Sequence, residues 1–156
     1  MLQIDIPGAG KLQLKHLICD YNGTLAVDGR LIDGVAQRLD SLGRKLTIHV
    51  VTGDTFGSAE AELAALEINV LVLSDKDQAI SKEDYLRTLG TQGVVAIGNG
   101  NNDRHMLQRS VLGIAVIGPE GGASRAIASA DLVVLDILSA LDMLIYPERI
   151  VASLRS

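Results

Sequence analysis

An aspartate, Asp20, directly follows the short apolar run Leu17-Ile18-Cys19 and begins the stretch Asp20-Tyr21-Asn22-Gly23-Thr24-Leu25. A carboxylate in that position can serve as a nucleophile or as a ligand for a hard cation. Three further polar segments share the setting. Thr52-Gly53-Asp54 follows the apolar residues 46–51, and Lys82 opens a helical pattern after residues 68–73. Gly98-Asn99-Gly100-Asn101-Asn102-Asp103 follows residues 94–97. An acid, a hydroxyl, an ammonium and a loop of amides ending in a second acid are the parts needed for phosphoryl transfer. They supply a nucleophile, cation ligands and countercharge for phosphate oxygens.

These groups cooperate only if the fold brings them together. Residues 17–19, 46–51, 68–73, 94–97, 112–117 and 132–135 are apolar at nearly every position, as expected of parallel strands covered on both faces. Helical spacing separates them. Asp33 is expected to cap a helix with the stripe Val35, Leu39 and Leu42, ended by Gly43. Ala59, Leu63 and Leu66 mark a second helix. Ser81 and Asp84 suggest a capping box for a third, which uses Tyr85, Leu86 and Leu89 and stops at Gly90. This alternation predicts a doubly wound, Rossmann-like α/β parallel sheet, in which ligands bind beyond the carboxyl ends of the strands. All four polar segments lie at such ends. Before them, Leu2, Ile4 and Ile6, then Leu12 and Leu14, alternate with other residues around Pro7-Gly8-Ala9-Gly10. That predicts an N-terminal β-hairpin. Gly8-Ala9-Gly10-Lys11 lacks the Ser/Thr and the spacing of a phosphate loop.

Composition narrows the function classes. The chain has 156 residues, which suits a single domain over 1–156. Aromatics make up 3%, so the core must be built from Val, Ile, Leu and Ala. A net charge of −5 without a basic cluster argues against nucleic acid or an anionic membrane as partner. One cysteine, Cys19, leaves no intrachain disulfide and fits a reducing cytoplasm. No apolar run approaches the roughly 20 residues of a membrane helix, and the start lacks the pattern of a signal peptide. The expected location is cytoplasmic. His16, His49 and His105 are not at metal-ligand spacing, so zinc is not expected.

The segment Asp20 to Leu25 resembles the first motif of the haloacid dehalogenase (HAD) superfamily, most closely in the phosphorylation domain of P-type ATPases. Val51-Thr52-Gly53-Asp54 resembles that family's Thr-Gly-Asp segment. Gly98 to Asp103 resembles its Gly-Asp-Gly-x-Asn-Asp loop, and residues 112–117 and 123–134 continue the pattern. The resemblance implies a HAD-like core and a phosphatase using Mg²⁺. Asp20 matches the nucleophile that becomes an aspartyl phosphate. Asp20, the carbonyl of Asn22, Asn99 and Asp103 match the metal positions. Thr52, Gly53, Lys82 and Asn102 match those that bind the phosphoryl group. Lys76 competes with Lys82 for the site lysine.

Two positions depart from the family. Asn22 stands where hydrolases carry a general acid–base Asp, and Asn99 stands where the family has a metal-binding Asp. Both predict weakened function: slow hydrolysis for the first and weak Mg²⁺ binding for the second. The spacing between motifs leaves no room for a cap or a nucleotide-binding domain, so the site should be open. The expected function is therefore a Mg²⁺-dependent phosphatase of phosphomonoesters. The alternatives are a catalytically weakened regulatory or binding module and, less well matched, a receiver-like domain. A homo-oligomer could cover the hairpin and close the site.

Overall fold

The computed structural model describes residues 1–53, 57–74 and 76–156. The alternating first residues form β1 (Leu2–Ile6), which pairs antiparallel with β2 (Gly10–Leu14), Leu2 opposite Leu14. β3 (His16–Asp20) follows and ends on the candidate nucleophile. A small flap comes next, β4 (Ala26–Val27) and β5 (Arg30–Leu31). Its turn residues Asp28 and Gly29 both have positive φ, as a two-residue turn of this hand requires.

Strands and helices then alternate: α1 (Val35–Gly43), β6 (Thr47–Thr52), α2 (Ser58–Leu63), β7 (Asn69–Val72) and α3 (Gln78–Leu89). The second half runs β8 (Val94–Gly98), α4 (Arg104–Arg109), β9 (Leu112–Val116), α5 (Ser124–Ser129) and β10 (Leu132–Val134). Two helices close the chain, α6 (Ile137–Ile145) and α7 (Glu148–Leu154). Asp136 caps α6, accepting from the backbone N–H of Ser139 at 2.7 Å.

The central sheet is parallel throughout, in the order β10-β9-β8-β3-β6-β7. The chain moves outward from β3 through β6 to β7, then crosses back to β8 and moves the other way. The order reverses at β3, so a crevice opens beyond its carboxyl end. One face of the sheet packs Leu17, Cys19, Val50 and Ile97 against Leu39 of α1, Leu141 of α6 and Ile150 of α7. The other packs Ile18, Val51, Ala96 and Ala115 against Leu86 of α3, Met106 of α4 and Ala126 of α5. Burial on both faces accounts for the unbroken apolar runs. Among the described residues, no helix is long and apolar enough to cross a membrane.

Several local expectations are corrected. Asp33 does not cap α1; Gly34 does, at φ 93°, with no side-chain bond. Ser81 does not open α3, which starts a turn earlier at Gln78 after Asp77 in the left-handed region. The hairpin forms its own two-stranded sheet, and Leu2, Ile4, Ile6 and Leu14 are buried in the chain's own core. Its apolar face therefore needs no second copy to cover it.

Packing of the end of α4 against β9 depends on Gly113. A Cβ there would collide with the carbonyl of Leu107 in α4. The backbone N–H of Gly113 also donates to Asp131 at 2.8 Å. Gly113→Ala should therefore destabilise the fold by about 1–3 kcal/mol in urea unfolding, as overpacking of a tight interior does. A change below about 0.5 kcal/mol, the range of neutral surface substitutions, would contradict this close approach.

Candidate active site

β3 delivers Asp20 to the crevice, with a residual exposure of only 6%. On one side β6 ends at Thr52, and on the other β8 ends at Gly98 and leads into the Asn-rich loop. α3 crosses behind them and places Lys82, which has no solvent exposure, between two acids. The Lys82 Nζ lies 2.6 Å from Asp20 Oδ1 and 2.6 Å from Asp103 Oδ1. The other oxygen of Asp103 accepts from the backbone N–H groups of Asn99 at 3.1 Å and Gly100 at 2.8 Å. Asp103 thus holds the ammonium with one oxygen and the loop with the other.

These contacts set the charge states. Burial, with the charge of Asp103 adding to it, pushes the Asp20 carboxyl up to about 6 against the opposing pull of Lys82. Burial works against the charge on Lys82, but the two carboxylates outweigh it and raise the ammonium above its ordinary value. Burial first, then the charges of Asp20 and Asp103, raise the Cys19 thiol, which stays protonated.

Asp20, Asn22, Thr52, Gly53, Asn99 and Asn102 line one open cleft of about 360 Å³ together with Gly100 and Gln78. Lys82 and Asp103 lie behind that lining. Lys76 is exposed and takes no part in the ion-pair chain. Asp54 lies outside the described residues. No sequence motif marks Gln78, because Ser81 and Asp84 point to a helix start one turn later than the one observed. Its spacing of four residues before Lys82 is the signal that puts both on one helix face. The histidines are held elsewhere. His16 Nδ1 is 3.1 Å from His49 Nε2, and His49 Nδ1 is 2.8 Å from the Tyr85 hydroxyl. His105 meets Glu83 at 2.9 Å.

Oxygen donors at the cleft suit a hard divalent cation. The Thr24 hydroxyl lies 3.2 Å from Asp20 Oδ2 and 3.2 Å from Asn99 Oδ1, yet it has one proton for the two acceptors. The buried trio of two carboxylates and one ammonium carries net charge −1. Surplus acceptor oxygen and surplus negative charge are both relieved by a cation. Among the described residues no three His, Cys, Asp or Glu gather as a ligand set. A cation here would rely on amide and main-chain oxygens beside the Asp20 carboxylate.

Asn99 is bound on both sides of its amide. Its Nδ2 donates to the Gly121 carbonyl at 3.0 Å, which turns Oδ1 toward Thr24. An aspartate would set a carboxylate against that carbonyl. Asn99→Asp should therefore melt at lower temperature than the parent when metal-free, by an amount on the order of 1–3 kcal/mol. Added Mg²⁺ should stabilise the variant more than the parent, because the acid is a stronger ligand. Equal melting of the two metal-free forms would contradict the Gly121 tie.

No family model matches the chain. An uncharacterized protein of Methanocaldococcus jannaschii is 52% identical over 62 residues, covering 40% of this chain and 67% of that protein. A cadmium-transporting ATPase of Staphylococcus aureus is 34% identical over 103 residues. The match covers 65% of this chain but only 14% of the ATPase. Among solved structures, one assigned to the HAD superfamily (subfamily III A), from Legionella pneumophila, superposes with a TM-score of 0.72 at 18% identity. It covers 90% of this chain and 86% of its own. The 3-deoxy-D-manno-octulosonate 8-phosphate phosphatase of Moraxella catarrhalis, in complex with magnesium, phosphate and KDO, gives a TM-score of 0.72 at 14% identity. The likeness covers 91% of this chain and 94% of that one. At these identities the structures show the shared fold. The chain belongs to one family with the Methanocaldococcus protein, and it shares the fold of structures assigned to the haloacid dehalogenase superfamily.

Proposed function

We propose that this chain is a phosphohydrolase of phosphomonoesters that works through an aspartyl phosphate on Asp20, with Mg²⁺ as cofactor. The observation that carries the reading is the buried chain Asp20–Lys82–Asp103 at the reversal of strand order, opening into a cleft lined by Thr52, Gly53 and Asn102. The magnesium and phosphate named with the Moraxella phosphatase, and the cobalt of a Haemophilus influenzae relative, support the divalent cation. The reading takes residues 1–156 as one HAD-like domain working in the cytoplasm.

In the first half-reaction an Asp20 oxygen forms a bond to phosphorus as the ester P–O bond breaks. Lys82 keeps Asp20 ionised and offsets the charge of the incoming phosphoryl group. Thr52 and Asn102 hold its oxygens. The leaving alkoxide takes a proton from water, since the Asn22 amide can donate a hydrogen bond but is not an acid. In the second half-reaction water attacks phosphorus and gives its proton to bulk water, the acyl P–O bond breaks, the Asp20 carboxylate is regenerated and inorganic phosphate leaves. Asp20, the Asn22 carbonyl and Asn99 would hold the cation, with Asp103 supporting the loop and binding directly or through water. When bound, the cation supplies countercharge to the phosphoryl oxygens. Asp103 has three acceptor positions already filled by Lys82 and two N–H groups, so its main contribution is positioning.

The amides at positions 22 and 99 favour a second reading, a catalytically weakened regulatory or binding module that keeps the fold and has lost turnover. Both readings are tested together. Phosphate release should be measured with Mg²⁺ on a panel of phosphorylated sugars, nucleotides and acids, with Asp20→Asn as control. The wild type should release phosphate and Asp20→Asn should not; near-normal release by Asp20→Asn would remove Asp20 from the mechanism. Rapid-mixing kinetics should show a burst and then a slow steady state, because dephosphorylation lacks a general base. Asn22→Asp should raise the steady rate on the order of ten-fold or more. Absence of a burst together with no gain in Asn22→Asp would show that position 22 does not face the reacting water.

A further inference from the structure

We infer that Gln78 is a substrate-binding residue of this cleft, donating a side-chain N–H to an oxygen of the bound phosphoryl group. The inference rests on the phosphohydrolase reading and adds to it a group outside the recognised motifs.

Gln78 is the first residue of α3, one turn ahead of Lys82. It lines the cleft with Thr52, Gly53 and Asn102. The orientation of its amide is fixed by a partner: Asn102 Nδ2 donates to Gln78 Oε1 at 2.9 Å. The oxygen therefore faces the Asn102 loop, and the nitrogen faces the other way. That nitrogen lies across Gly53, where a Cβ would collide with Nε2. Gly53 thus leaves the amide room to lie over the end of β6. No hydrogen-bond acceptor for Nε2 is present among the described residues. Its two N–H groups lie in the cleft beside Thr52 and Gly53. Neutral donors around an anion are valuable because they bind it without changing the net charge of the site. A first-turn position adds the favourable end of the helix dipole for an anion.

The plain alternative is that Gln78 only braces the Gly53 turn against the Asn102 loop. Gln78→Glu separates the two roles. A glutamate oxygen still accepts from Asn102 Nδ2, so the brace survives, and an acid in the first turn of a helix is well tolerated. The donor is lost and a negative charge faces the anion. Gln78→Ala removes both donor and brace without adding charge.

The probe is inorganic phosphate, titrated calorimetrically into each protein in saturating Mg²⁺, with thermal melting of each protein alongside. Gln78→Glu should melt like the parent and bind phosphate about ten-fold or more weakly, as loss of a hydrogen bond to a charged group implies. Gln78→Ala should bind more tightly than Gln78→Glu. For any ester turned over by the wild type, Gln78→Glu should raise KM more than it lowers kcat. Phosphate binding by Gln78→Glu equal to that of the parent would overturn the inference, as would a loss that tracks falling melting temperature in both variants. If the wild type hydrolyses esters while Gln78→Glu behaves normally, the function stands and this inference falls. If the wild type neither binds phosphate nor hydrolyses any ester, both fall.

Discussion

The bridge from Lys82 to Asp20 and Asp103 is the interaction around which the site is arranged. Two carboxylates buried side by side would repel each other and drive one of them to take up a proton. A single ammonium at 2.6 Å from each offsets part of that penalty and holds the two ends of the crevice together. One acid terminates β3 and the other closes the loop after β8, so the ion chain also fixes how that loop meets the central strand. α3 must run behind the sheet at the right depth to deliver the lysine. Leu86, four residues further along the same helix, is fully buried against that face. Packing of the helix and neutralisation of the acids are thus met by one surface.

Around this charged centre the cleft is lined largely by neutral polar groups. Asn22, Asn99, Asn102 and Gln78 contribute amides to that lining. Amides can orient water and phosphate oxygens, but they do not exchange protons near neutrality. Under the proposed function, the arrangement favours holding a phosphoryl group over discharging it. In Asn99 the amide also has a mechanical role that an acid could not fill, because the Gly121 carbonyl needs a donor.

Much of this was readable from the amino-acid order. The strand runs and the four polar segments at their ends led to the doubly wound sheet, and the sheet alone brings those segments together. Other features depended on information that pattern does not hold. Ser81 followed by Asp84 looks like a capping box, yet tertiary packing starts the helix at Gln78, and the error hid that residue. Asp33 has the right side chain for a cap, but Gly34 reaches the left-handed turn more easily. The choice between Lys76 and Lys82 rests on burial, which their spacing alone did not decide. The ties from Asn99 to Thr24 and to Gly121 join residues far apart in the chain, beyond the reach of any local motif.

Cys19 sits in the middle strand, one residue before Asp20, with no exposed surface and a thiol held in its protonated form. A thiol-specific reagent reacts with the thiolate and can reach it only when β3 separates from its neighbours. The rate of that modification is consequently a clock for opening of the sheet at its centre. Because the reporter adjoins the proposed nucleophile, the same clock measures how far an occupied cleft locks the strand that carries it. It needs no introduced label, since Cys19 is the chain's one cysteine.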